Sequence, residues 1–225
     1  MMNRKNIFRR PLAWLLFVLI AAAGAVYVYF NFGKANSLIN IEISMDRPAA
    51  LKRSAQLARD FHLGPEHFRQ TASFSHDAGF QNFVELEAGG LDTLVKVIRN
   101  GYHPVYFWEV RQFESQNARE VTFWFTPSGK SYGFSEKIPE SEKGAALPAE
   151  AALRLAEHEA AYRWEVDLTP YRLIEQSKEE RVSGRVDHWF VYERSDATIG
   201  EGRYRLKLAV SGDKLTGVNY QVKLP

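Results

Sequence analysis

The stretch EVTFWFTPSGK, Glu120–Lys130, decides the fold. Glu120 to Thr126 reads as a strand, and Pro127-Ser128-Gly129-Lys130 as the turn that ends it. The order returns in Arg203-Tyr-Arg-Leu-Lys-Leu, which runs on to the turn Ser211-Gly212-Asp213-Lys214. Both hairpins close on a strand and a proline, Lys137-Ile138-Pro139 and Lys223-Leu224-Pro225. Hairpins of this kind make antiparallel sheet, so each half of the chain is expected to be built on one.

A helix precedes each set of strands. In the first half, Asp46 can cap free backbone N–H groups, and Pro48 suits the first turn. Leu51, Ala55, Ala58 and Phe61 recur at helical spacing, and Gly64-Pro65 stops the run. Strands are expected at Phe80–Leu86, Tyr106–Phe113, Glu120–Thr126 and Ser131–Ile138, with a connector over 36–43 that includes a strand at Leu38–Ile43. In the second half, Pro148 opens a helix with Ala152, Leu155, Ala156 and Ala160 on one side and a Glu150–Arg154 pair. Strands are expected at Tyr171–Ser177, Val186–Glu193, Arg203–Val210 and Leu215–Leu224, with Ser195–Gly202 as a loop. The reading is α+β: one unit over 36–139, a linker over 140–147 rich in Glu, Ser, Lys, Gly and Ala, and a second unit over 148–225. The units are either an internal duplication or two similar α+β folds. In each, a helix lies on an antiparallel sheet whose other face is solvated or receives a partner.

Ahead of both stands PLAWLLFVLIAAAGAVYVYFNFG, residues 11–33, without a charged side chain. As a helix it is about 35 Å long, enough to cross a hydrocarbon core of about 30 Å. Arg4, Lys5, Arg9 and Arg10 in the flank 1–10 place the N-terminus on the cytoplasmic side and the bulk of the chain outside. A single-pass protein of the cytoplasmic (inner) membrane is expected, with lipid as a partner through this helix. The rival is a cleaved leader, with Leu12–Ile20 as its apolar region and Ala21-Ala22-Ala23 as the site.

The chain has 225 residues and a formal charge of +2. Four positive charges belong to the flank, so the rest carries −2, which argues against a nucleic-acid partner. Cysteine is absent, so disulfides and thiolate metal sites are excluded.

No segment names a reaction. His158-Glu159 begins a zinc-helix pattern, but Tyr162 stands where the second imidazole is needed. His62 and His67 flank Gly64-Pro65, so no helix face aligns them. His76-Asp77 and Asp187-His188 are adjacent pairs, and neighbours in a strand point to opposite faces. Glu179-Glu180 reads as solvated charge. The densest segment, Gly184–Arg194, splits by alternation into Arg185/Asp187/Trp189/Val191 and Val186/His188/Phe190/Tyr192. Arg185 and Asp187 are placed to pair, with Arg111 as a third member, either as a structural ion pair or as a ligand-reading groove. The sequence thus yields no catalytic, cofactor-binding or metal-ligating residue, and no cofactor is expected.

A helix followed by paired hairpins resembles a PepSY-type unit, here in tandem. More specifically, Ser44-Met45-Asp46-Arg47, Trp108-Glu109-Val110-Arg111-Gln112-Phe113, Gly184-Arg185-Val186-Asp187-His188 and Arg203-Tyr-Arg-Leu with Ser211-Gly212-Asp213 resemble the extracytoplasmic region of some bacterial CAAX-protease and bacteriocin-processing (CPBP) family proteins. The resemblance implies a non-catalytic binding or regulatory region in front of an intramembrane protease, whose membrane domain would follow Leu224-Pro225. The family's Glu-Glu pair with an Arg does not carry over, because Glu179-Glu180 and Arg185 are out of spacing in a hydrophilic stretch. The partners it implies are an attached protease domain or a peptide. The alternative is a free-standing envelope protein acting as a peptide-binding or assembly scaffold.

Overall fold

The structure, a computed structural model, describes residues 11–35 and 41–225. The basic flank and residues 36–40 lie outside the described residues, as does the first half of the strand expected at Leu38–Ile43; its second half is not a strand, since 41–46 have no regular structure. The chain divides into two compact units, Met1–Ile41 and Glu42–Pro225.

In the first unit, α1 spans Pro11–Ala35. Its Pro11–Asn31 part is apolar, with none of its best apolar window buried, and its length and composition suit either one bilayer crossing or a secretory leader.

The second unit holds α2 (Arg47–Phe61), β1 (Arg69–His76), α3 (Ala78–Leu86), α4 (Gly90–Asn100), β2 (Tyr106–Phe113), β3 (Glu120–Phe125), β4 (Ser131–Lys137), α5 (Ala149–Trp164), β5 (Tyr171–Glu180), β6 (Val186–Ile199), β7 (Gly202–Ser211) and β8 (Lys214–Lys223). All eight strands form one antiparallel sheet in the order β1-β2-β3-β4-β8-β7-β6-β5. Two four-stranded meanders therefore meet along their last strands, with Phe134 opposite Val218 and Ser135 opposite Gly217. Lys130 and Lys214, the turn lysines, each stand four residues before a member of the Phe134–Val218 pair. An approximate twofold relation thus passes through that pair and exchanges the meanders.

The helices obey the same relation. Helix α2 buries Ala50, Ser54 and Ala58, and α5 buries Ala152, Ala156 and Ala160. These four-residue spacings put small side chains on one helical face, which lets each helix lie close on the sheet. Under the helices, Phe123, Phe125, Phe134, Phe190, Leu206, Leu208 and Val218 form a continuous core. Strand β7 shows the division most plainly. Tyr204, Leu206, Leu208 and Val210 are buried, while Arg203, Arg205, Lys207 and Ala209 lie on the opposite, half-exposed face. The Arg205 guanidinium pairs there with Glu193 at 3.0 Å.

Phe80–Leu86, expected as a strand, is helix α3. Asp77 accepts the Phe80 N–H at 3.0 Å, and Phe80, Phe83 and Val84 fall on one buried face. Helix α4 and strand β1 carry no counterpart in the sequence expectations; β1 (RQTASFSH) is a polar edge strand. Ser195–Gly202, expected as a loop, mostly continues β6 to Ile199, with a register shift between Glu193 and Thr198.

The chain enters this unit along a strap. The Ser44 and Met45 N–H groups donate to the Pro127 carbonyl at 3.2 and 3.0 Å, and Trp108 Nε1 donates to the Met45 carbonyl at 3.0 Å. The β3–β4 turn is thereby tied to residues just ahead of α2.

Candidate functional site

Each main helix ends the same way. Phe61 is followed by His62 in the left-handed region and by buried Leu63; Trp164 is followed by Glu165 in the same conformation and by buried Val166. Non-glycine residues adopt positive φ at a local cost, tolerated here because the next N–H turns back to the helix. Leu63 donates to Ala58 and Val166 to Ala160. The two terminal rings lie side by side, Phe61 at 5.1 Å from Trp164, and Trp164 stacks on Phe134 at 4.0 Å.

A turn lysine approaches each end from the opposite meander. At the α2 end, Lys214 Nζ donates to the His62 carbonyl at 2.6 Å and lies 2.8 Å from Glu136 Oε2. Glu136 is fully buried there. Its Oε1 accepts the Gly64 N–H and an Arg119 N–H, each at 2.8 Å. Arg119 also reaches Glu142. Every charge of this network has a partner, and a cavity of about 180 Å³ lies beside it, between Phe61, Leu63, Trp164, Lys214 and Leu215.

At the α5 end the equivalent positions differ. Lys130 replaces Lys214, Ser131 replaces Leu215, Tyr220 replaces Glu136 and Asp167 replaces Gly64. No carboxylate occupies the corresponding position, and a cleft of about 220 Å³ opens there. The rings of Tyr102, Tyr132, Trp164, Tyr171 and Tyr220 line it, with Lys130, Ser131, Glu165, Asp167 and Arg194. Tyr132 and Tyr220 sit 5.9 Å apart. Burial pushes the Tyr220 phenol up to about 12 and Tyr132 higher still, so both stay protonated donors at neutral pH. Arg194 stacks on Tyr102 at 4.1 Å and on Tyr171 at 5.5 Å, and holds Asp196 through two hydrogen bonds of 2.6 and 3.0 Å. One wall, Gly101–Pro104, comes from the connection that carries α3 and α4, an element the second meander lacks. There, a turn over Arg181–Arg185 joins β5 to β6.

Arg185 and Asp187 pair, as their spacing suggested, through bonds of 2.9 and 3.3 Å, and both are buried. Arg185 Nη1 also donates to the carbonyls of Pro139 and Glu142, and Arg181 Nε donates to Asp187 at 2.6 Å. The cluster latches the 139–145 segment onto β6. Burial works against the Asp187 charge, but hydrogen bonds from Arg185 and Arg181 outweigh it and hold the carboxyl below its usual range. Arg111 takes no part: it pairs with Glu120 across β2 and β3. His188 points to the other face, where it bonds the Leu147 carbonyl at 2.9 Å.

The remaining sequence candidates are scattered. His158 is exposed and stacked on Tyr162, while Glu159 pairs with Arg163. His67 is exposed, and Glu179 pairs with Arg181. His76 stacks on Tyr106, and Asp77 turns inward. There it meets His103, which the sequence reading did not single out. His103 is buried, its Nε2 is 3.0 Å from Asp77, and its Nδ1 has no partner. The hydrogen bond with His103 is the main cause that draws the Asp77 carboxyl down. Among the described residues no group of three or more His, Asp or Glu side chains is arranged to hold a metal. No family model, curated protein or solved structure matches the chain.

Proposed function

We propose that the chain is a membrane-anchored, extracytoplasmic binding and regulatory module. In this reading α1 crosses the bilayer once with the N-terminus inside, and the unit 42–225 presents the α5-end cleft to a partner. The observation that carries it is the contrast between the helix ends: at one the chain's own Glu136 occupies the carboxylate position beside a cavity of about 180 Å³, and at the other Tyr220 stands in that position beside an aromatic-lined cleft of about 220 Å³. Five rings around a small number of fixed polar groups are what a binding site needs for area and for orientation. The two PepSY-like units correspond in this reading to the two meanders with their helices. The resemblance to the region in front of a CPBP-type protease makes regulation of an attached or neighbouring protease the specific role.

A second reading, a free-standing envelope scaffold, draws on the sheet margins. Among the described residues no strand pairs with the outer sides of β1 and β5, and an extended segment can add there. Strand β5 is exposed and carries Arg172, Glu175, Lys178, Glu179 and Glu180, charges that guard an edge. Strand β1 is the less guarded margin.

Site-specific photocross-linking in intact cells tests the first reading. A photoreactive residue at Tyr102, in the cleft, is expected to give a discrete adduct, and one at Tyr162, exposed on α5, none. Adducts from neither position, or equally from both, overturn the cleft as the binding site. Protease added outside spheroplasts is expected to digest 42–225 while α1 stays in the membrane. Protection of that unit, or its release without α1, overturns the topology.

A further inference from the structure

We infer that the α5-end cleft binds a carboxylate carried on an apolar or aromatic body. The inference rests on the cleft being the binding site. The molecule supplies its own template, because at the equivalent α2 end a carboxylate already sits in place. That carboxylate, Glu136, lies between a turn lysine (Lys214, 2.8 Å), the N–H two residues past the left-handed cap (Gly64, 2.8 Å) and a guanidinium (Arg119, 2.8 Å).

The α5 end keeps the lysine and the N–H of that set, has no counterpart of the Arg119 guanidinium, and lacks the carboxylate. Among the described residues the Lys130 ammonium has no ion pair or hydrogen bond, although the equivalent Lys214 has two partners. The Asp167 N–H, two residues past the Glu165 cap, donates to no other group of the chain. Ser131 Oγ, beside Lys130 in the cleft lining, is buried without a partner. Lys130 and Asp167 are exposed, so water can serve them, but native proteins leave few buried groups such as the Ser131 hydroxyl unpaired, and an anion beside Lys130 would give it an acceptor. Tyr220 stands at the Glu136 position, so the chain cannot deliver the carboxylate itself.

The lining also carries two carboxylates, Glu165 and Asp167, and both are exposed, where water and salt screen them. Asp167 directs Oδ1 onto the Thr169 N–H at 2.9 Å. Arg194 is neutralised by Asp196, which leaves Lys130 as the lining cation without an ion pair among the described residues. The rings set the rest of the ligand. A volume of about 220 Å³ is below the roughly 300 Å³ at which sites for drug-sized molecules begin. It suits one large apolar side chain with its acid group. A peptide's C-terminal carboxylate and a fatty acid share this chemistry.

The test uses the full chain in lipid nanodiscs and three probes: a fluorescent peptide ending in phenylalanine as the free acid, the same peptide as the C-terminal amide, and decanoate as competitor. The free acid is expected to bind, and the amide at least about tenfold more weakly, the loss of one charge-assisted contact. Lys130→Met should weaken the free acid by about tenfold, and Ser131→Ala by a few-fold. Lys143→Met, the same charge change on the exposed linker, should leave binding unaltered. Thermal melts establish that each variant is folded. Displacement of the peptide by decanoate, or binding of decanoate alone, supports the inference and points to a lipid-derived acid; binding of the free peptide without competition points to a protein C-terminus. Equal binding of acid and amide, or an unaltered affinity in folded Lys130→Met, overturns the carboxylate and leaves the cleft as a binding site. Failure of both peptides and decanoate at millimolar concentration overturns the inference, and the cross-linking at Tyr102 then decides the parent reading separately.

Discussion

The two helix ends start from one design and finish in opposite states. At the α2 end Glu136 is held by Lys214, Arg119 and the Gly64 N–H. At the α5 end four position changes remove that network: Glu136 gives way to Tyr220, Leu215 to Ser131, Gly64 to Asp167, and Lys214 to a Lys130 that has nothing to hold. In the proposed reading the difference separates stability from binding. The Glu136 carboxylate is buried and held by three donors, so it contributes to stability. Where that carboxylate is absent, polar groups remain available to a ligand.

The largest test of this contrast is to remove that carboxylate. Glu136→Ala should lower the stability of the 42–225 unit by roughly 2–3 kcal/mol in chemical denaturation, since it leaves the Gly64 N–H without its acceptor and takes one partner each from Arg119, which keeps Glu142, and Lys214, which keeps the His62 carbonyl. Tyr220→Phe at the equivalent position should change it by less than about 0.5 kcal/mol, because its hydroxyl has no partner within the chain. Similar losses from the two variants would show that the ends are not functionally distinct.

Exchanging the residues after the lysines is expected to give effects that are no larger and opposite in sign. Leu215→Ser removes a buried side chain at the α2 end and should cost about 2–3 kcal/mol. Ser131→Ala removes a buried hydroxyl without a partner and should be neutral or stabilising by up to about 1 kcal/mol in the same assay.

Acid titration compares the latch with the cleft. Asp187 and Asp77 both have folded-state pKa values below the ordinary 3.8. Their ionised forms contribute stability that is fully present above that value and is lost as pH falls through the lower folded values. The melting temperature should therefore be steady from neutral pH down to near 3.8 as far as these groups are concerned, and fall below it. In Asp187→Asn, less stable throughout, that acid-limb loss should be shallower. Cleft occupancy by a carboxylate probe should instead fade as the probe protonates.

The smallest effect lies at the alkaline end. Tyr220 is neutral in the folded state up to about 12, against 10.0 ordinarily. The stability this protonated form contributes is full below 10.0 and lost as pH rises toward about 12. Phenolate absorbance should show the exposed tyrosines ionising first, and Tyr220→Phe should remove one late proton. An early, unshifted titration would mean that the cleft is wetter than its ring packing implies.

The sequence made the sheet legible where alternation was strong. Strands β2, β3, β4, β6, β7 and β8 follow apolar–polar order, and α2 and α5 carry clear start signals in Asp46-Arg47-Pro48 and Pro148. It misled where an apolar run was short. Phe80-Gln-Asn-Phe-Val-Glu-Leu has the density of a strand, and only the Asp77 cap and the Phe80/Phe83/Val84 spacing mark it as a helix. Strand β1 was invisible because RQTASFSH is polar and takes its conformation from pairing with β2. The Arg185–Asp187 pair was readable, since two residues on one strand face must meet. The cleft was not, because Tyr102, Lys130, Trp164, Arg194 and Tyr220 come from five separate segments and none of them forms a motif. His103 had a weak signal at most: its burial against Phe80 depends on a helix the sequence did not declare.

The strap at Ser44 and Met45 has a mechanical consequence. A pull on the backbone ahead of Glu42 is borne first by two N–H bonds to Pro127 and by the Trp108 indole N–H on Met45. These bonds grip the turn that carries Lys130, three residues beyond Pro127. If α1 is a membrane anchor, as proposed, tension on that backbone would be felt at the lysine before any strand of the sheet parts.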